Sequence, residues 1–384
     1  MTDRESPFHA YFVGTIPPDA DIFGWNGVTV ADAISTTEEE MIAAREEVTV
    51  LDVSPLNKYR ISGPDAGAAL DHMMTRRVSD MKNGTVRYVG WVADTGMSIG
   101  DATLFRFGEN DYMIIGGLDQ TTHFNGSVLQ GRDAVYARET EEMAGLGVQG
   151  PQSYALLVAA GAKNLENLRA FQFTDDALGG VPVIISRTTY VGDLGYEIFC
   201  KPEQADAPWE ALNSTPVKVL PTGYDAIDLL RAECGFIDPS ADCAMALTGG
   251  DPDFERTPAD MGLAWMVELD REDDFIGKAA LIAEKERGPK WQFVSVELED
   301  ASDTGIYSLS GEALYAQDGT EIGLISTGGY DYFLRKNVGI GTVHSGQGAV
   351  GTAVLVGDDR QPAAIVKTPM FSTDRRTKTP PALG

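Results

Sequence analysis

Glu197 is the acid whose setting most invites a chemical role. It lies in GYEIF (195–199), a run that reads as a strand, so alternation puts its carboxylate on the face opposite Tyr196 and Ile198. There it is either a solvent-facing charge or a hydrogen-bond acceptor inside a pocket. The aromatic residues of 86–91 and 187–199 can fill a core or stack on a planar ligand. Little else in the chain has the spacing of a known chemistry. His9, His72, His123 and His344 have no metal-ligand spacing, so no metal site is expected. There is no GxxxxGK[ST] loop, no HExxH, no GxSxG and no dinucleotide-binding GxGxxG, and Gly249-Gly250 reads as a turn.

Charge and composition narrow the partners. Asp and Glu number 58 against 30 Lys and Arg in 384 residues, a net charge of −28. Such a field repels nucleic-acid phosphates and anionic membrane surfaces, so neither is expected as a partner. Cys200, Cys234 and Cys243 are an odd set without CxxC spacing, which points to a reducing compartment. The opening MTDRESPFHAYF lacks the pattern of a secretory signal, and no apolar run approaches the ~18–20 residues of a membrane span. A cytoplasmic location is the resulting expectation.

The elements that must position these residues alternate through the first two thirds of the chain. TTEEEMIAAREE (36–47) reads as a helix capped by Thr36 or Thr37, and VTVLDVSPLNKYRISG (48–63) as strand. A helix follows Pro64, then strands at 86–93, 102–107 and 111–116. PQSYALLVAAGA, QADAPWEALNS and GYDAIDLLRAECG read as helices; VPVIISRTTY and GYEIFCKP read as strands. Residues 236–261 have loop composition. Beyond about 285, short alternating runs broken by DG, GG and SGQG turns predict an all-β unit, a small barrel or sandwich. The tail DRRTKTPPALG is expected to fray.

Six segments, taken in order, resemble the aminomethyltransferase (glycine-cleavage T-protein) superfamily. They are FGWNG (23–27), EEEMIAAREEVTVLDVSP (38–55), RTTYVGDLGYEIF (187–199), PTGYDAIDLLRAECG (221–235), DDFIGKAAL (273–281) and GTEIGLISTGGYDYFLRKNVGIGTV (319–343). The resemblance implies an α+β fold of the T-protein type: a three-lobed cloverleaf with folate-binding lobes over 1–284, a C-terminal β-barrel over 285–374 and a tail over 375–384. It implies tetrahydrofolate as cofactor in a central channel. Glu197 would accept from the pterin's N–H groups, an edge of donors suited to a carboxylate. Tyr88 and Tyr190 would line the channel, with Asp119 and Arg231 also meeting folate. Arg231 has a second reading, an ion pair with Asp228 or Glu233, and Arg187 is similarly ambiguous. Phe23 and Trp25 of FGWNG would contact substrate.

The sequence departs from the family where chemistry is concentrated. In SIGDATLF (98–105) Gly100 stands at the first position of a paired Asp-Asp, and Asp101 alone remains. Asp119 replaces an Asn, Pro55 a His and Thr222 a Cys. If Gly100 marks the loss of the catalytic acid, glycine-cleavage chemistry and its lipoyl carrier protein are not expected. The reading that follows is a tetrahydrofolate-dependent demethylase, taking a methyl group from a small donor to N5 of the folate. A sulfonium such as dimethylsulfoniopropionate or a methoxyaromatic acid would serve, with Arg76, Arg77 and Arg87 as candidate partners for a carboxylate. Asp101 and Tyr88 are then the catalytic candidates, a Tyr being able to protonate a leaving oxygen. The alternatives are an aminomethyltransferase in which Asp101 fills the role, and a non-catalytic folate-binding factor.

Overall fold

Thr36 opens the first helix. Its hydroxyl accepts from the Glu39 N–H at 3.2 Å, and three glutamates follow in the first turn, where the helix dipole favours negative charge. The computed structural model describes residues 3–17, 20–124, 128–247 and 250–378; Gly249 and the last six residues lie outside these. Among the described residues the helices are α1 (Thr37–Glu46), α2 (Ala66–Met73), the single turn α3 (Thr121–His123), α4 (Ser153–Ala159), α5 (Asp206–Asn213), α6 (Tyr224–Cys234) and α7 (Lys278–Arg287).

The strands fall into four groups. β1 (Ile22–Trp25) and β2 (Val28–Ala31) form a hairpin. A five-stranded sheet comprises β4 (Asn57–Ser62), β5 (Thr85–Val92), β6 (Ser98–Gly108), β7 (Asp111–Gly116) and β8 (Val135–Arg138), in the order β5-β6-β7-β4-β8. A six-stranded sheet comprises β3 (Thr49–Asp52), β9 (Ala144–Gln149), β10 (Phe173–Leu178), β11 (Val181–Ser186), β12 (Gly195–Cys200) and β13 (Leu220–Pro221), in the order β10-β11-β12-β9-β3-β13. The last six, β14 (Trp291–Leu298), β15 (Ala313–Tyr315), β16 (Glu321–Asp331), β17 (Lys336–His344), β18 (Ala353–Val356) and β19 (Gln361–Val366), close into a barrel. The all-β unit predicted beyond 285 is thus a barrel rather than a sandwich.

The stretch 48–63 is two strands in two different sheets, not one. Pro55 has no N–H to continue a ladder, and the Asp52 carboxylate accepts from the Ser54 N–H at 2.9 Å, turning the chain at Val53–Leu56. That break carries the chain from one sheet to the other, and the two sheets share the hydrophobic layer between them. Met41, Leu51 and Val53 meet Phe105, Met113 and Ile115 there, with Leu229 and Leu230 of α6. Gly235 ends α6 at φ +68, a left-handed cap that glycine adopts without strain.

Helix α6 also ties the barrel to the rest. Arg231 reaches Thr327 of β16 at 2.9 Å, while Arg45 of α1 grips Glu233 at 2.8 Å with both side chains fully buried. The chain end closes the same region. Asp374–Arg376 form a one-turn 3-10 helix, and Arg375 pairs at 2.7 Å with Asp193, which has no exposed surface. Residues 374–378 are therefore anchored, against the expectation of fraying, because an unpaired carboxylate at Asp193 would be costly to bury. No helix among the described residues is long and apolar enough to cross a membrane.

Candidate active site

Strand pairing brings Tyr88 and Asp101 together. In the β5–β6 ladder Gly90 lies opposite Asp101 and Tyr88 opposite Thr103, so all four project from one face. The Tyr88 hydroxyl donates to Asp101 Oδ2. Burial raises the Asp101 carboxyl to about 7, opposed by the Tyr88 hydrogen bond and reinforced by the charges of Asp238 and Asp242. The Tyr88 ring stacks on Trp265 with centroids 6.1 Å apart and planes at 27°.

The same alternation explains Gly100. Its side-chain direction is the opposite one: a Cβ there would lie 2.7 Å from Trp91 Cζ2, in the core, with Gln120 Nε2 at 3.3 Å. An acid at position 100 would point away from Tyr88. The acid on the Tyr88 face is Asp101, so Gly100 does not mark a missing acid there, and the inference drawn from it against aminomethyl chemistry loses its basis.

Glu197 sits as alternation requires. Tyr196 and Ile198 are buried in the core of the six-stranded sheet, and Glu197 projects from the other face, half-buried. Its Oε2 accepts from the Thr188 hydroxyl, while Oε1 has no hydrogen-bond partner among the described residues. Burial pushes its carboxyl up; Thr188 and then the charge of Lys58 pull it down. Two residues beyond Thr188, the Tyr190 hydroxyl donates to the Ile237 carbonyl at 2.9 Å, and its ring is 40% exposed.

Tyr88, Asp101, Tyr190, Glu197 and Tyr224 share two properties. Each keeps solvent-accessible surface, yet in each burial is the leading cause of a raised pKa. Each is thus surrounded by protein while part of it still meets solvent, the setting expected of a side chain that lines a recess. Tyr190 feels the charges of Arg231, Asp238 and Asp101, which ties the β5–β6 wall to the Thr188–Glu197 wall. Tyr224, missed in the sequence, lies on the Asp52 side of the same layer. Its hydroxyl donates to the Asp52 carbonyl at 2.7 Å, and Phe23 and Trp25 meet its ring edge-on at 5.7 and 5.1 Å. Phe23 is 38% exposed.

Other candidates stand differently. Arg231 is 1% exposed and committed to Asp228, Asp242 (2.7 Å), the Phe236 carbonyl (3.0 Å) and Thr327. The ion-pair reading of this residue is the one present, with Asp228 rather than Glu233, and direct contact with a ligand is replaced by bracing the Asp238–Asp242 loop. Asp119 lies at an exposed rim. Burial raises its carboxyl, but the Thr121 amide and hydroxyl and the Tyr59 hydroxyl together bring it below the ordinary range. Arg187 is buried and donates to the carbonyls of Leu168 (2.9 Å) and Lys378, bracing the tail. Arg76, Arg77 and Arg87 face Glu268, Asp273 and Asp80 respectively, which removes them as a free cationic trio for a carboxylate. Lys58, also missed, is fully buried beside Asp52; a charge in a strand ordinarily reads as solvent-facing, and nothing in the pattern marked it.

The recess is therefore aromatic and acidic. It can hold a planar heterocycle by stacking and by the open oxygen of Glu197, and it can hold or move a proton at Asp101.

Comparison with known proteins bears on the family and the fold. Residues 19–271 match the family model described as the GCVT N-terminal domain, and residues 292–372 match the glycine cleavage T-protein C-terminal barrel domain. An aminomethyltransferase of Bacillus licheniformis is 32% identical over 91% of this chain and 94% of its own. A trimethylamine-oxide aldolase of Ruegeria pomeroyi is 33% identical over 89% of this chain, which spans only 44% of that relative's length. The crystal structure of aminomethyltransferase T from Bartonella henselae superposes with a TM-score of 0.84 at 22% identity, covering 96% of this chain and 98% of the other. That last likeness speaks to the fold alone.

Proposed function

The chain belongs to the glycine-cleavage T-protein family, whose enzymes transfer one-carbon units with tetrahydrofolate, and we propose that it takes a methyl group from a small cationic donor to that acceptor. The single observation that carries the reading is the part-buried Tyr88–Asp101 hydrogen bond, whose acid also acts on the exposed Tyr190 ring two residues from the Thr188–Glu197 bond. The residues fit a reduced folate. Glu197 would accept from the pterin's N–H edge, with Tyr190 and Tyr224 against the ring faces. Bound tetrahydrofolate would supply N5 as the nucleophile. The chain's own part is alignment, exclusion of water and control of one proton at Asp101, whose geometry Tyr88 fixes.

Charge decides among donors. Asp101 and Asp238 act on the recess, Asp242 being paired with Arg231, and the arginines once available for a carboxylate are each paired too. A sulfonium or a methylated ammonium suits such a wall, since aromatic faces and carboxylates both attract cations. A methoxyaromatic acid suits it less. The Ruegeria relative, named for trimethylamine oxide, lends support to a methylated nitrogen. A donor that carries its own leaving group needs no lipoyl carrier protein. Asp101 favours one second reading, aminomethyl transfer, because an acid near neutrality can manage an amine's proton.

The test is a methyl-transfer assay with tetrahydrofolate and a panel of sulfonium, methylammonium and methoxyaromatic compounds, following products by mass. 5-Methyltetrahydrofolate from the cationic donors supports the proposal. 5,10-Methylenetetrahydrofolate from an aminomethyl donor, with no methyl product, replaces it by the second reading. Glu197→Ala should weaken tetrahydrofolate binding by about 1.5–3 kcal/mol, the range for hydrogen bonds to a charged group. Unaltered affinity in a folded variant would remove Glu197 from the folate site.

A further inference from the structure

Between β11 and β12 the chain runs through 187–194 without regular structure, and this segment carries Thr188 and Tyr190 of the recess. Among the described residues the backbone of 188–190 makes no hydrogen bond to another backbone group. Side chains place it instead. The Tyr190 hydroxyl donates to the Ile237 carbonyl at 2.9 Å, and its ring stacks on Phe236 with centroids 6.2 Å apart and planes at 29°. From the helices, Arg45 donates to the Val191 carbonyl at 2.7 Å, and a Cβ at Gly192 would stand 2.1 Å from Cys234 Sγ.

The end of the chain closes on this segment and on the ring beside Tyr190. Asp193, with no exposed surface, accepts from Arg375 Nε at 3.0 Å and from its Nη2 at 2.7 Å. Arg375 is the one basic partner of Asp193 among the described residues. At the other end of the segment, Arg187 donates to the carbonyls of Arg375 at 3.4 Å and of Lys378. The Arg376 guanidinium lies over the Phe236 ring, 5.5 Å from its centroid, and so backs the ring on which Tyr190 stacks.

We propose that residues 374–378 are a clasp on the recess: Arg375, through Asp193, and Arg376, through Phe236, set where the Tyr190 ring stands for an incoming ligand. The proposal rests on the reading of Tyr190 as a wall of the folate site and adds what holds that wall. Arg375 and Asp193 are then positioning residues, acting on the ligand through Tyr190. A segment with its own ladder would need no clasp, and 188–190 has none. The contacts of Val191 and Gly192 with α1 and α6 do not involve the tail, so the segment stays attached when the clasp is lost. As a mere tether for the chain end, the Arg375–Asp193 pair would add stability without affecting how Tyr190 meets a ligand.

Hydrogen exchange of 187–194 and tetrahydrofolate affinity are measured in the wild type, Arg375→Ala, Tyr190→Ala and Arg375→Ala/Asp193→Asn. The last variant removes the buried charge that Arg375→Ala strands, and it carries the test if the single variant does not fold. Exchange of 187–194 should rise about tenfold or more while β9 and β12 keep their protection. Affinity should fall about tenfold, the size of a coupling between residues in contact. Adding Tyr190→Ala to the Arg375→Ala/Asp193→Asn protein should cost no more affinity than Tyr190→Ala alone, because the clasp acts through that ring. Unchanged exchange in Arg375→Ala/Asp193→Asn overturns the proposal, whatever happens to affinity. Losses that add in full overturn it too, since the pair would then act on the ligand by another route. Raised exchange, with a Tyr190→Ala protein that binds tetrahydrofolate as the wild type does, upholds the clasp and instead removes Tyr190 from the folate site.

Discussion

Tyr88→Phe should move the pH dependence of catalysis upward without dismantling the recess. The Tyr88 hydroxyl donates to Asp101 Oδ2, and this bond is the largest influence holding the carboxyl down against burial and the charges of Asp238 and Asp242. A hydrogen bond to a charged group contributes about 1.5–3 kcal/mol. At about 1.36 kcal/mol per unit, its loss raises the Asp101 pKa by roughly one to two units above its present value of about 7. The limb of the kcat/KM profile that belongs to Asp101 should therefore shift to higher pH, whether activity climbs or falls across it. Phenylalanine keeps the ring that stacks on Trp265 at 6.1 Å, so tetrahydrofolate KM should change little. The assay is kcat/KM against pH for the wild type and Tyr88→Phe, with Asp101→Asn as the profile lacking that limb. An Asp101 limb at the same pH in both enzymes would refute the reasoning, as would a profile that survives in Asp101→Asn.

Gly100→Asp should not create glycine-cleavage activity; it should lower Tm. Its Cβ would stand 2.7 Å from the Trp91 ring, and overpacking of that kind costs about 1–3 kcal/mol before the buried carboxylate is counted. Thermal melts and a decarboxylation-coupled assay check both halves. Glu233→Gln should flatten the dependence of stability on pH. Glu233 Oε1 and Asp331 Oδ2 are both buried without a hydrogen-bond partner among the described residues, and burial first, then the charge of Asp331, raises Glu233 well above the ordinary carboxylate range against the pull of Arg45. The folded chain then keeps a proton that an unfolded glutamate gives up near pH 4.3, and stability should fall as pH rises above that value toward the elevated folded pKa. Glutamine imitates the protonated acid and still offers an oxygen to Arg45; denaturant midpoints from pH 5 to 9 should slope less than in the wild type, and equal slopes would mean that Glu233 folds in its ionised form.

What could be read from the sequence followed periodicity. The Thr36 cap, the α6 helix and the short alternating runs of the barrel carry local signals, and the structure has them. The face occupied by Glu197 followed from alternation within five residues. Strands without such signals were lost: AGLGVQ at β9 is glycine-rich because Gly145 packs under Val53, where a Cβ would come within 2.9 Å. A strand chosen for what it must not carry looks, in sequence, like a loop. The break at Pro55 was also read through, because β-branched residues flank it on both sides.

The two largest errors about the site have one physical origin. Gly100 was read as an absent acid and Lys58 was not read at all, and each depends on which neighbour a side chain faces across strands distant in sequence. Pattern gives the parity of a face. It does not say that position 100 looks at Trp91 while 101 looks at Tyr88, or that the turn after β3 aims two carbonyls at an amine from β4. The same reasoning separates the arginines. Arg231 had an ion pair among its readings because α6 periodicity puts Asp228 one turn away, whereas the Asp242 partner comes from a loop with no period. The chemistry of this site therefore rests on pairings between elements, Tyr88 with Asp101 above all, and a one-residue insertion in β5 that slips its register against β6 should abolish that hydrogen bond.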